Sequence, residues 1–123
     1  MGLALLVGLA ASVGALARYL LDQAVSRRWE SALPWGTFVI NVSGSFALGL
    51  LTGLAAHQGL PTHVLTVLGT GICGGYTTFS TFSYETERLA EDGSRLAAAG
   101  NVVGSLAAGL LAAAAGLGLA LAF

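Results

Sequence analysis

GICGGYTTFSTFSYE, residues Gly71–Glu85, decides how this chain is read. It runs from an apolar segment through the glycine pair Gly74–Gly75 into a cluster of hydroxyl side chains, and it carries no charge before its last residue. A glycine pair permits backbone to leave helical geometry, and the Thr77 and Thr78 hydroxyls can bond amides and carbonyls released by such a break. Phe79 and Phe82 share a face if the helix resumes after Thr78. In hydrocarbon, non-helical backbone persists only where protein or a cavity covers it. The stretch therefore predicts either a kink whose backbone is bonded internally, or an unwound segment whose Gly74 and Thr77 carbonyls can hold a small cation where two copies meet.

The rest of the 123-residue chain puts this break in a membrane, because 55% of its residues are apolar and only 9% are charged. A soluble domain carries about 25% charged residues. No Asp, Glu, Lys or Arg occurs from Gly36 to Gln58 or from Thr62 to Tyr84, and roughly 20 helical residues cross about 30 Å of hydrocarbon. The pattern predicts an all-α integral membrane protein: one four-helix transmembrane domain over residues 1–123, with spans at about 3–21, 36–56, 62–84 and 96–123. The third is broken near Gly74–Thr78. Polar sequence from Asp22 to Pro34 forms the first connection, with Trp29 and Trp35 suited to the headgroup level. His57, Gln58, Gly59 and Pro61 make a short second turn, and Glu85–Arg95 leaves the hydrocarbon before the last span. No Lys or Arg precedes the run from Gly2, which therefore reads as a retained span and not a signal peptide.

Charge and cysteine usage exclude several function classes. Five arginines, no lysine and six acids give a net charge of −1, without the basic stripe that nucleic acid requires. Cys73 is the only cysteine, so there is neither an internal disulfide nor a thiolate metal cluster. Ser80 and Ser83 lack base and acid partners, the glycine-rich third span lacks the lysine of a P-loop, and His57 and His63 border a short connection. Nothing points to an enzyme. Arg27, Arg28, Arg88 and Arg95 all fall on one side, which the positive-inside rule places in the cytoplasm with both termini outside.

Within the apolar runs, polar residues are few and patterned. Thr37, Asn41 and Ser45 recur on one face of the second span. They serve either as interhelical bonds or as a stripe along a narrow path, with amide hydrogens offered to an anion. Arg18 either snorkels to the interface or concentrates anions at a pore mouth. Phe79 and Phe82 pack in a core, or else turn their electropositive ring edges toward a passing anion. Glu85, beside Glu87 and Arg88, reads as a solvated helix end. The apolar parts of the first three spans hold no carboxylate of the kind a proton-coupled cation transporter uses. Small-residue pairs at Gly49/Gly53, Gly100/Gly104 and Gly8/Ser12 predict close helix packing and an oligomer.

At these residues the sequence resembles the small bacterial and archaeal fluoride channel family, Fluc or CrcB. GALARY at Gly14–Tyr19, GTFVINVSGSFALG at Gly36–Gly49 and GGYTTFSTFSYE at Gly74–Glu85 carry the resemblance. It implies a passive fluoride-selective channel of the plasma membrane that exports fluoride down its electrochemical gradient. It further implies an antiparallel dimer with two narrow pathways and a structural Na+ at its centre. By resemblance, Asn41, Phe79, Phe82, Thr37, Ser80 and Ser105 belong to the fluoride pathway, the Gly74 and Thr77 carbonyls face sodium, and Arg18 matches an arginine near the end of the first helix. Asn101 stands where the family often has tyrosine, and Gly109 where a further serine can occur. A homodimer inserted both ways favours little arginine bias, so a heterodimer of oppositely inserted chains is the alternative assembly. A small proton-coupled multidrug transporter and a noncatalytic membrane assembly subunit are the other readings. The transporter expects a glutamate in the first span, where this chain has Arg18.

Overall fold

A computed structural model covering Met1–Phe123 consists of helices joined by short connections, with no strand. Helix α1 spans Gly2–Arg28 and α2 spans Trp35–Gln58. A third helical rod follows: α3 (Thr62–Leu65) runs into a π-helical stretch, Thr66–Cys73, and then into α4 (Gly74–Tyr76). After a non-helical step at Thr77–Phe79, α5 covers Ser80–Glu91 and α6 covers Arg95–Ala122. Helices α1, α2 and α6 are each long and apolar enough to cross a membrane, which makes this a multi-pass membrane protein. Buried apolar side chains are few, while large ones such as Leu5, Leu9, Leu106 and Leu111 stand exposed, as lipid-facing helices require.

Several boundaries differ from the sequence reading. Helix α1 continues to Arg28 and does not stop near Leu21. No breaker lies between Asp22 and Arg28, and Arg27 and Arg28 in the last turn suit the negative end of the helix dipole. Likewise α5 carries the helix to Glu91 with Leu89 buried, which shortens the expected connection to a turn at Gly93, where φ is +88°. The second connection is the short turn expected, with Gly59 in the left-handed region at φ +71° and the Leu60 amide donating to the Leu54 carbonyl at 3.3 Å. This is the closure by which glycine commonly ends a helix.

The main correction concerns the glycine pair. Gly74 is helical, with φ −64° and ψ −41°, and the chain departs only at Thr77, where ψ is 161°. Gly75 serves contact, not unwinding: a Cβ there would collide with the Ala11 carbonyl of α1, and one on Gly14 would lie 2.8 Å from the Tyr76 nitrogen. Backbones of α1 and the third rod thus touch directly. The same device joins α2 to α6, where a Cβ on Gly49 would strike the Ala113 carbonyl and one on Gly116 would lie 2.8 Å from the Leu50 nitrogen. Such close approach replaces the hydrophobic drive that lipid removes. The Gly100/Gly104 pair meets nothing within 4 Å, and neither does Gly8, so these expected notches are not used inside the chain.

Candidate functional site

The break in the third rod is held by side chains from α1 and α2. The Thr77 amide still closes a helical bond to the Cys73 carbonyl at 2.9 Å, and the Thr77 hydroxyl reaches the same carbonyl at 2.9 Å. At Thr78 the backbone leaves the helix and meets Asn41. The Asn41 Nδ2 donates to the Thr78 carbonyl at 2.8 Å, and its Oδ1 accepts from the Thr78 amide at 2.9 Å. Arg18 donates through a guanidinium nitrogen to the Thr77 carbonyl at 3.2 Å. The Thr78 hydroxyl accepts from the Thr81 amide at 3.2 Å, satisfying one of the free donors at the start of α5. Carbonyls of Gly74, Gly75 and Tyr76 receive no backbone amide.

The polar stripe of α2 therefore faces the third rod. The Thr37 hydroxyl donates to Glu85 Oε1 at 2.5 Å, and the Ser45 hydroxyl returns to the Asn41 carbonyl of its own helix at 2.7 Å. Thr37 is buried, so its single proton is used on the carboxylate. Asn41 carries two amide hydrogens, of which the chain uses one, leaving a second N–H without a partner. Glu85 is half-buried against Thr37, where the sequence reading had it as a solvated helix end. Its spacing from Phe82 and Leu89 was the available signal: residues three and four apart on α5 share one helix face, and all three are at least half-buried.

Phe79 and Phe82 do meet, with ring centroids 5.9 Å apart and planes inclined at 44°. Phe79 is 78% exposed and borders a cavity of about 320 Å³ shared with Asn41, Ser45, Gly74 and Thr77. Ser80 is exposed beside Thr78, with the two hydroxyl oxygens 3.4 Å apart. Ser105 is not in this group. It lines a second cavity of about 590 Å³ between α2 and α6, together with Trp35, Phe38 and Asn101. Gly109 faces Ser45, whose Oγ would lie 3.6 Å from an added Cβ. No buried side-chain nitrogen or oxygen lacks a partner, so the polar residues of this membrane chain are built into its packing.

Comparison with known proteins agrees with these motifs. The family model described as CrcB-like protein, Camphor Resistance (CrcB), matches residues 5–117. The fluoride-specific ion channel FluC 1 of Frankia casuarinae is 51% identical over 121 residues, covering 94% of each chain. The FluC 1 protein of Streptomyces avermitilis is 53% identical over 113 residues, covering 92% of this chain and 91% of its own. The FluC protein of Paramagnetospirillum magneticum is 46% identical over 110 residues, covering 87% and 86%. A match that embraces the clamped break, the aromatic pair and most of the α2–α6 contact places this chain in the CrcB family, to which it belongs.

Proposed function

We propose that this protein is a passive fluoride-specific ion channel of the plasma membrane and not an enzyme. The observation that carries the reading is identity of 51% and 53% to proteins named fluoride-specific ion channels, over nearly the whole length of both chains. The geometry around Thr78 supports it chemically. A dehydrated fluoride needs donors in place of water, without a full positive charge that would trap it. The unused Asn41 N–H and the electropositive edge of the Phe79 ring supply such donors beside a cavity, and Phe82 packs against Phe79 to extend the aromatic surface. Ser80 adds a hydroxyl beside the break, Thr37 and Ser105 take part through Glu85 and Asn101, to which their protons are given, and Arg18 contributes positive potential near the break.

We infer the finer architecture from the resemblance to the CrcB family, which the local geometry supports. In this reading residues 62–84 form the third of four spans, crossed in two helical pieces with the break at Thr77–Phe79 between them; the α4 and α5 boundaries support it. Two chains pair in antiparallel fashion, either as a homodimer or with an oppositely inserted partner chain. A structural Na+ belongs at the two-fold contact of the breaks. The local donor set suits a hard cation, since the Gly74 carbonyl lacks an amide partner and borders the same cavity as Thr77. Bound there, the ion would supply fixed positive charge that holds two breaks together. Arg18 already shares the Thr77 carbonyl, and a carbonyl oxygen has two lone pairs, so both contacts can coexist.

Flux tests the reading. Purified protein in liposomes loaded with fluoride should release it when an ionophore balances charge, with neither ATP nor a proton gradient supplied. Well-folded protein that conducts nothing, or only under an imposed proton gradient, would overturn the assignment.

A further inference from the structure

Helix α6 is tied to α5 by a directed chain of side chains. The Thr86 hydroxyl donates to the Phe82 carbonyl one turn earlier at 2.8 Å, and Asn101 Nδ2 lies 2.8 Å from the Thr86 oxygen. The Ser105 hydroxyl approaches Asn101 Oδ1 at a longer 3.4 Å. A hydroxyl has one proton. Because Thr86 uses its proton on Phe82, it can only accept from Asn101, so the amide nitrogen must face it. The Asn101 carbonyl oxygen is then turned toward Ser105, whose own proton points back at it. Proton accounting thus fixes the orientation of the amide. All three side chains are half-buried, where weakly solvated hydrogen bonds hold position well.

We propose that Asn101 and Thr86 act together as a positioning pair, a strut from α6 that fixes the turn of α5 carrying Phe82 and thereby the placement of its ring beside Phe79. This rests on the reading of Phe82 as a fluoride-pathway residue only for its functional consequence; the strut itself rests on the hydrogen bonds. Neither residue need touch the ion. A ring that offers its edge to an anion is useful only at the right distance and tilt, and displacements of about an ångström degrade such a site. Helix α5 starts at a break and ends at a glycine turn; Thr37 ties it to α2 through Glu85, and the Thr86–Asn101 contact adds the tie to α6 one turn from Phe82.

The test uses the full-length protein in four variants: Thr86→Val, which keeps size and loses the hydroxyl, Thr86→Ser, which restores it, Asn101→Ala, and the Asn101→Ala/Thr86→Val double. Liposome fluoride efflux is read beside the thermal midpoint and dimer yield. Thr86→Val and Asn101→Ala should each slow efflux about tenfold, the double no more than the worse single, and Thr86→Ser should stay within about twofold of the parent, as expected of two residues acting through one contact. Multiplying effects in the double, a Thr86→Ser variant as slow as Thr86→Val, unchanged efflux in Thr86→Val, or losses that only track dimer yield would each overturn the strut. A second readout is independent of transport: with 4-fluorophenylalanine incorporated, the 19F resonance lost in Phe82→Leu should move or broaden in Thr86→Val and Asn101→Ala and stay put in Thr86→Ser. An unmoved resonance overturns the strut whether or not the parent conducts fluoride, whereas a moved resonance in a non-conducting parent overturns only the channel reading.

Discussion

Asn41 grips Thr78 from both sides, donating to its carbonyl at 2.8 Å and accepting from its amide at 2.9 Å. One side chain thus imitates the edge of a strand and supplies both partners that Thr78 loses where the helix breaks. The amide we propose for the anion pathway is also the clamp on the backbone around it. Only an amide does both, because the clamp needs a donor and an acceptor together and the pathway needs a further N–H.

This dual use makes Asn41→Asp informative. The carboxylate can still accept from the Thr78 amide, but it turns a lone pair toward the Thr78 carbonyl and removes the free N–H. We predict fluoride efflux at least about tenfold slower, and folded stability lower by about 1–3 kcal/mol for the buried acceptor left unpaired. Efflux and thermal unfolding measured on the same preparation check both parts. Full efflux in a folded variant would remove Asn41 from the pathway.

Phe79→Ile and Phe82→Ile separate ring chemistry from packing. Phe79 is 78% exposed, so the chain's own core gives up little when its ring is replaced. Both variants should assemble nearly as well as the parent and conduct fluoride markedly less, because isoleucine keeps apolar volume and lacks electropositive ring edges. Parallel loss of assembly and flux would mean that the rings serve packing.

Glycine variants should sort by the space around them. Gly75→Ala drives a methyl into the Ala11 carbonyl, and Gly14→Ala drives one toward Ile72 and Tyr76. Overpacking of this kind costs about 1–3 kcal/mol, seen as a lower thermal midpoint. Gly100→Ala and Gly104→Ala meet open space and should leave the single chain intact. If either lowers dimer yield, those notches receive a partner helix.

The periodic features of this fold were legible because periodicity is local. Charge-free runs marked α2 and the third rod, and the spacing of Thr37, Asn41 and Ser45 marked one face before any partner was known. Function of individual glycines was not legible. Gly74 and Gly75 look like a point of unwinding, yet Gly75 answers to Ala11, which is distant in sequence and visible only once α1 is packed. Gly116 was overlooked for the same reason, since its partners Phe46 and Leu50 lie on another helix. Glu85 was misread because charge argues for water, whereas Thr37 offers it a buried donor from across the bundle. The ends of α1 and α5 outran the apolar pattern because a helix has no reason to stop where the hydrocarbon does.

From the unpaired Gly74 carbonyl we predict sodium dependence. Replacing sodium with a larger organic cation should lower the thermal midpoint or the dimer yield of detergent-solubilised protein, since binding to the folded state alone stabilises it by mass action. A heavier monovalent ion should give anomalous scattering at the contact between breaks. Indifference to sodium, with no such density, would mean that the break is held by Asn41 and Arg18 alone.

Orientation is the remaining prediction, and it sets two physical effects against each other. Arg27, Arg28, Arg88 and Arg95 lie on one side and favour a cytoplasmic location for that side. Asp22, Glu30, Glu87, Glu91 and Asp92 are interleaved with them, and helical extension of α1 and α5 leaves only short loops, at Trp29–Pro34 and Asp92–Ser94. No long basic loop therefore imposes a direction, and we predict an antiparallel homodimer whose chains insert both ways. Cys73 is buried and is the sole thiol, so Cys73→Ala gives a silent background, and Gln58→Cys places a reporter at the exposed end of α2. A membrane-impermeant thiol reagent applied to intact cells should label roughly half the chains if both orientations coexist. Near-complete labelling or near-complete protection would show a single orientation, and the antiparallel architecture would then require a second, oppositely inserted chain.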